Sequence, residues 1–406
     1  MKKKVISLIT AVSMVAVTGC TGNTPSKIGN NSEPVEYFIK NDDRLIDFSM
    51  NLLNADYEEG KNILVSPLSV IYALGMTANG AKGNTKEEIE NVIGISVDEM
   101  NDFAQNYIYK IGGLTDTEFN LADSIWVNEN QNVKLEDKFV EDNKTYYNAE
   151  IYDEKFNDKA VKKINKWVDK NTNHMIDKII GEIPEDAAMY LINALAFEAR
   201  WSEPYKEGQV EDGKFKNYDN FEADVSFLTG NVDNYMEDGN SIGFIKPYSG
   251  NDYGFFAILP NEDIGIDEFV KILDTEKFKN LVNNASFEYE VFTKTPKFEV
   301  DYGTSLVEPL SKMGMNSAFG DKADFTAMVK DGSAQLNISE VLHKTYMKVD
   351  EEGTKAAAVT SVEMKCMALA PEEREVKEVI LDRPFVYGII DYETLMPIFT
   401  GVMNEM

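Results

Sequence analysis

Residues Val349 to Phe385 read VDEEGTKAAAVTSVEMKCMALAPEEREVKEVILDRPF. Gly353 frees the backbone just ahead of an alanine-rich run, as a hinge requires. Read with period two, Thr354, Ala356, Ala358, Thr360, Val362 and Met364 fall on one face. Lys355, Ala357, Val359, Ser361, Glu363 and Lys365 fall on the other and carry all three charges of the stretch. The first face is small and uncharged, which suits a strand buried on one side. The alanines favour helix over strand, while the acidic, irregular flanks suit an exposed loop. Pattern alone therefore leaves three readings open: an amphipathic helix, a loop, or a loop that can become a strand.

Upstream, the first half of the chain reads as helices with one early strand. Phe38, Leu45, Phe48, Leu52 and Leu53 have helical spacing over 36–54. Ser66 and Pro67 open a helix over 68–80, the serine as cap and the proline in the first turn. Thr85 with Glu88 predicts a capping box. A strand is expected at 119–127 and an amphipathic helix over 161–180. The apolar run 188–197 suits a strand buried on both faces. Further strands are expected at 241–247, 253–259, 286–300, 335–350, 376–381, 385–391 and 397–403, with helices at 265–273, 275–283 and 303–313. Helices early and strands late predict an α+β fold rather than alternating βαβ units. No second linker or repeat interrupts the chain after residue 37, so one large domain is expected over 37–406.

The 406 residues are 43% hydrophobic, enough for a large core. Acids outnumber bases 70 to 40, a net charge of −30 that argues against nucleic acid as a partner. Two cysteines cannot build a disulfide scaffold or a four-cysteine zinc site, and two histidines limit His-based chemistry. There is no G-x-S-x-G, H-E-x-x-H or C-x-x-C. Gly75 to Lys82 echoes a phosphate loop only loosely, and it falls inside a helix. Carboxylate pairs for glycoside chemistry cannot be placed in space from sequence, and a solvated acidic surface accounts for the acids. His343, beside Val341 and Leu342, reads on pattern alone as a hydrogen-bonded core residue. No cofactor, metal or catalytic residue is expected.

Lys2, Lys3 and Lys4 precede an apolar run over 5–17 that is too short to span a membrane. The run ends Val17-Thr18-Gly19-Cys20, which resembles a bacterial lipobox; an ordinary secretory signal with an incidental cysteine is the alternative. The expectation is a signal peptide at 1–19, a lipid (palmitate-bearing) anchor on Cys20 and a flexible tether to residue 36. Loss of three lysines and no acids would take the charge from −30 to −33. The expected location is the extracellular face of a bacterial membrane, with Cys366 the only thiol left free.

Glu351-Glu352-Gly353-Thr354-Lys355-Ala356-Ala357-Ala358-Val359-Thr360 resembles the hinge of an inhibitory serpin, E-E-G-T-E-A-A-A-A-T, at eight of ten positions. Lys355 and Val359 depart from it, both on the outward face. Asn62 to Ser69 (NILVSPLS) and Gly80 to Thr85 (GAKGNT) resemble the family's central-helix start and following turn. LINALAFEARW, with Asn193 and Trp201, resembles its strand motif. His343 stands eight residues before Glu351, as the family's shutter histidine does. Asp382-Arg383-Pro384-Phe385 and Pro397-Ile398-Phe399-Thr400-Gly401 resemble its C-terminal signatures.

The resemblance implies helices around a large mixed central sheet, smaller sheets and an exposed reactive-centre loop. It implies a monomer that is no enzyme: a serine protease attacks the loop, an acyl-enzyme forms, and the cut loop inserts into the sheet and traps it. Carried over residue by residue, it assigns Ser66, Ser69, Asn193 and His343 to a shutter under the opening sheet, and Trp201 to the breach where insertion begins. The hinge is Glu351, Glu352, Gly353, Thr354, Ala356, Ala357, Ala358 and Thr360. Family spacing places the reactive bond sixteen residues after Glu351, at Met367–Ala368. The stretch from Met367 to Pro384 is longer than in many serpins, which keeps Lys365, Cys366, Ala368 and Leu369 as alternative cut sites. An apolar specificity pocket, chymotrypsin- or elastase-like, suits methionine. A non-inhibitory serpin acting as a binding protein is the alternative function, and an unrelated surface hydrolase a further one.

Overall fold

The computed structural model describes residues 42–129, 133–184, 187, 189–330, 336–354 and 374–406. Helices surround one short strand at first: α1 (Asp43–Asp56), β1 (Ile63–Val65), α2 (Pro67–Ala78), α3 (Gly83–Ile93) and α4 (Val97–Gly112). Strands and helices then alternate through β2 (Thr117–Asn128), α5 (Asp137–Tyr146), β3 (Glu150–Glu154), α6 (Asp158–Asn171) and β4 (Met189–Arg200). Five strands follow: β5 (Val210–Lys216), β6 (Glu222–Val232), β7 (Asn234–Glu237), β8 (Ser241–Pro247) and β9 (Tyr253–Pro260). After α7 (Ile266–Ile272) and α8 (Thr275–Asn283) come β10 (Tyr289–Pro296), β11 (Phe298–Ser305) and α9 (Val307–Lys312). The chain closes with β12 (Leu342–Val349), β13 (Gly353–Thr354), β14 (Glu375–Ile380), β15 (Phe385–Asp391) and β16 (Pro397–Met403).

The strands form three sheets. The central one has the order β11-β12-β13-β4-β2-β3, and its β2–β3 pair is parallel while the rest is antiparallel, so the sheet is mixed. A second sheet, β1-β16-β15-β9-β8-β7, is wholly antiparallel. The third is β14-β10-β6-β5. Helix α2 packs against both β4 and β16, joining the central and second sheets. It is buried along nearly its whole length, as a helix apolar on every side must be. Ser66 caps it by accepting from the Ser69 N–H, and Pro67 occupies its first turn, as the sequence predicts.

The α+β fold and its mixed central sheet are as expected, with informative local differences. The strand expected over 286–300 is two strands in different sheets: β10 ends at Pro296, opposite Phe227 of β6, and β11 starts in the central sheet at Phe298, opposite Val349 of β12. The helix expected over 303–313 shrinks to α9, because β12 holds residues through Ser305 as strand. Likewise β12 covers only the second half of 335–350. Helix α6 stops at Asn171, since Asn173 and His174 turn into the left-handed region at φ 49° and 62°. Ile176 and Ile180 still pack with Ile164, Val168 and Trp126, so helical spacing misled where the burial was right. Thr85 and Glu88 make no capping box, for α3 begins at Gly83. They hold the segment after α9 instead: Thr85 Oγ1 accepts from Asp324 N at 2.9 Å, and Glu88 accepts from Asn316 N and Ser317 N at 2.8 and 2.6 Å. Helix α1 starts at Asp43, and residues 36–41 of the expected helix lie outside the described residues. Strands β5 to β7 and the capping box of α4 (Ser96 with Glu99) went unread in the sequence.

Candidate functional site

Four residues from three distant stretches meet where α2 begins. The Ser66 N–H donates to His343 Nε2 on β12 at 3.0 Å, and the Ser66 hydroxyl donates to the Ile398 carbonyl on β16 at 2.8 Å. The Ser69 hydroxyl donates to Asn193 Oδ1 on β4. Asn193 Nδ2 in turn donates to Asp123 Oδ1 on β2 at 2.9 Å. Helix α2 is thus tied to β12 by one serine and to β4 by another. Burial holds the His343 pKa down to about 4, so its imidazole is neutral and Nε2 is free to accept. Sequence reading found Ser66, Ser69, Asn193 and His343 but missed Asp123. An acid set inside the largely apolar run Leu121–Val127 of β2 was the available signal.

The second group lies at the C-terminal end of β4. Trp201 is buried and stacks on Tyr248 with ring centroids 4.7 Å apart. Its Nε1–H donates to the Asp350 carbonyl and its backbone N–H to the Glu352 carbonyl, each at 2.9 Å. The Tyr205 N–H donates to the Glu351 carbonyl at 2.9 Å. Glu351 pairs with Lys297 at 2.7 Å and Glu352 with Arg200 at 3.5 Å. Below them Lys246 Nζ lies 4.4 Å from the Tyr205 ring centroid and 5.5 Å from that of Trp201. Burial pushes its pKa down to about 8, and its contact with the Glu203 carbonyl at 3.0 Å satisfies a donor.

These contacts steer the chain into the central sheet. Gly353 and Thr354 are seated between β12 and β4: Thr354 stands opposite Val349 on one side and Ala199 on the other. A Cβ on Gly353 would lie 2.1 Å from the Ala199 carbonyl oxygen, so only glycine fits there. Thr354 is 2% exposed and its Oγ1 shares a hydrogen bond with Tyr248 Oη at 2.5 Å. Beyond these two residues no ladder joins β4 to β12 among the described residues. A cavity of about 670 Å³ opens further along, lined by Ser69, Leu191, Asn193, Ser305 and His343 among others.

The structure therefore gathers Ser66, Ser69, Asn193 and His343 into one cluster, and Trp201, Glu351, Glu352, Gly353 and Thr354 into another. Ala356, Ala357, Ala358, Thr360, Met367, Ala368 and Cys20 lie outside the described residues, as do Lys365, Cys366 and Leu369.

A mixed sheet left unzipped between two strands, with a chain segment entering the gap, defines the class: a fold with room for a further strand. The chain belongs to the serpin family. The family model for Serpin (serine protease inhibitor) matches residues 43–406. An uncharacterized serpin-like protein of Methanosarcina acetivorans is 30% identical, over 87% of this chain and 84% of that one. Intracellular coagulation inhibitor 2 of Tachypleus tridentatus is 29% identical, over 88% and 89%. The thermophilic serpin tengpin in its native state superposes with a TM-score of 0.83 at 38% identity, over 93% of this chain and 96% of that one. Thyroxine-binding globulin shares the fold, with a TM-score of 0.78 at 23% identity over 89% and 98%. Serpins are typically protease inhibitors rather than enzymes, and some are binding proteins.

Proposed function

We propose that this chain is a suicide-substrate inhibitor of extracellular serine proteases with chymotrypsin- or elastase-like specificity. The observation that carries the reading is the seating of Gly353 and Thr354 between β12 and β4. Continued in the same antiparallel register, the chain would place Ala356 between Met347 and Phe197, Ala358 between Thr345 and Leu195, and Thr360 between His343 and Asn193. Residues directly opposite across a ladder share a face. The small residues would thus point with His343, Thr345, Met347 and Val349, which are all buried. Lys355 would point the other way.

The energetics fit a spring that needs a trigger. Ordering about 15 residues costs ~1–2 kcal/mol each in backbone entropy. A middle strand gains hydrogen bonds on both sides, each worth ~0.5–1.5 kcal/mol net. Those terms nearly cancel, so burial of the uncharged face decides the sign. In the proposed reaction the protease serine oxygen adds to the Met367 carbonyl. The Met367–Ala368 bond breaks, Ala368 leaves as a new amino terminus, and Met367 stays as an ester on the enzyme. Insertion of the freed strand then carries the enzyme away before water can reach the ester. A lipid on Cys20 would hold the monomer at the outer face of a membrane.

The test is to mix residues 37–406 with elastase, chymotrypsin and trypsin at near-equimolar ratio, followed by denaturing electrophoresis and intact mass. A band at the sum of both masses supports the trap, and the mass of the released peptide locates the cut, including after Lys365, Cys366, Ala368 or Leu369. A cut loop with active protease and no complex would replace this reading with the non-inhibitory, binding one.

A further inference from the structure

Asp123 stands directly opposite Asn193 in the β2–β4 ladder, so both side chains lie on the face toward Ser69 of α2. It is 2% exposed, and its Oδ2 has no hydrogen-bond partner among the described residues. Asp123 Oδ1 accepts from the Asn193 NH2, which leaves the Asn193 Oδ1 to accept from the Ser69 hydroxyl. We propose that Asp123 is a positioning residue of this cluster that fixes the Asn193 amide for Ser69, and that its ionised form favours an opened central sheet because water reaches Oδ2 only when β4 moves off α2. The inference rests on the reading that the sheet opens between β4 and β12.

An ionised carboxylate offers about four acceptor sites, and among the described residues a single donor serves it. A buried charge so thinly paired is disfavoured. Accordingly burial pushes the Asp123 pKa up to about 7, against the Asn193 hydrogen bond, which acts the other way. The titratable groups around it do not compensate. Tyr72 of α2 and Tyr147 at the end of α5 are both held far above neutral pH by burial, and among the described residues the Tyr147 hydroxyl also lacks a partner. His343 of β12 is neutral above about pH 4. Within this cluster Asp123 is left to change charge near neutrality.

The sign follows from linkage. The closed state binds the proton more tightly than an opened, hydrated state with the ordinary carboxyl pKa of about 4. Raising the pH from about 4 to about 7 therefore shifts the balance toward opening, and the shift levels off above 7.

Hydrogen exchange of β4 and β12 amides on the intact protein, corrected for intrinsic rates, measures that opening without a protease. The wild type is compared with Asp123→Asn, which keeps size and an acceptor oxygen but cannot ionise. The ratio of opening constants, wild type over variant, should rise about tenfold from pH 6 to pH 8. His343 is common to both proteins and cancels in the ratio. A ratio flat with pH would overturn the proposal. If Asp123→Asn does not fold, a carboxyl 13C titration of the wild type decides: an aspartate with a midpoint near 7 supports it, and none there overturns it. Failure of the covalent-complex assay would sink the inhibitory reading while leaving this result standing.

Discussion

Replacing Thr354 by arginine tests the strand-insertion mechanism where the structure is most explicit. Thr354 is 2% exposed, sits between Val349 and Ala199, and shares a hydrogen bond with Tyr248. Arginine removes that bond and leaves a buried phenol unsatisfied, at about 1–3 kcal/mol. It also drives a guanidinium into a position that is 2% exposed, at several kcal/mol more. The folded state escapes the cost by withdrawing the hinge from the gap, so the variant should fold. Insertion cannot escape it, because the inserted strand must pass residue 354 through that position. If only about 3 kcal/mol is felt at the insertion step, the rate falls about 100-fold. Deacylation by water then wins, and the variant behaves as a substrate. The assay is the stoichiometry of inhibition, moles of inhibitor consumed per mole of protease silenced. Thr354→Arg should raise it by well over tenfold, while Lys355→Ala, on the outward face, should leave it near the wild-type value. Unchanged stoichiometry in Thr354→Arg would refute insertion through this register.

Three further expectations follow from the same contacts. Glu351→Lys replaces an attraction with a repulsion at Lys297; both side chains are 35% exposed, so screening limits the loss to about 1 kcal/mol, or about 2 °C in Tm, and adding Lys297→Glu should restore it. His343 has a folded pKa of about 4 against about 6.5 unfolded, so its contribution is full above pH 6.5 and is lost as pH falls toward 4, by up to about 3 kcal/mol; pH-dependent urea midpoints should show this slope reduced in His343→Gln. The net charge of −30 should steer basic proteases, so their association rate should fall with added salt; a salt-independent rate would remove steering from the account.

The sequence by itself determined whatever short-range chemistry controls. Ser66 and Pro67 start α2 because a cap and a first-turn proline act within one helical turn. A strand was legible within 335–350, where β12 turns its alternate residues to the core. Ser66, Ser69, Asn193 and His343, which the structure brings together, were singled out because the family pattern fixes their spacing, not because propensity marks them. Propensity favoured helix for the alanine run, yet Thr354 at its head is strand. Two neighbouring strands supply the hydrogen bonds there, and no local term outweighs them.

The tertiary structure alone decided where long-range partners took over. Pro296 looked like part of one strand, but the chain changes sheets there because partners on both sides demand it. Thr85 and Glu88 carried the signature of a cap and serve a segment more than 200 residues away. Asp123 read as one acid among seventy; only the meeting of β2, β4 and α2 leaves its carboxylate buried beside Asn193 with one oxygen unpaired. Burial and pairing are properties of the assembled sheet, and a charge's cost depends on both, so an acid inside an apolar run marked the position without revealing its partners or its cost.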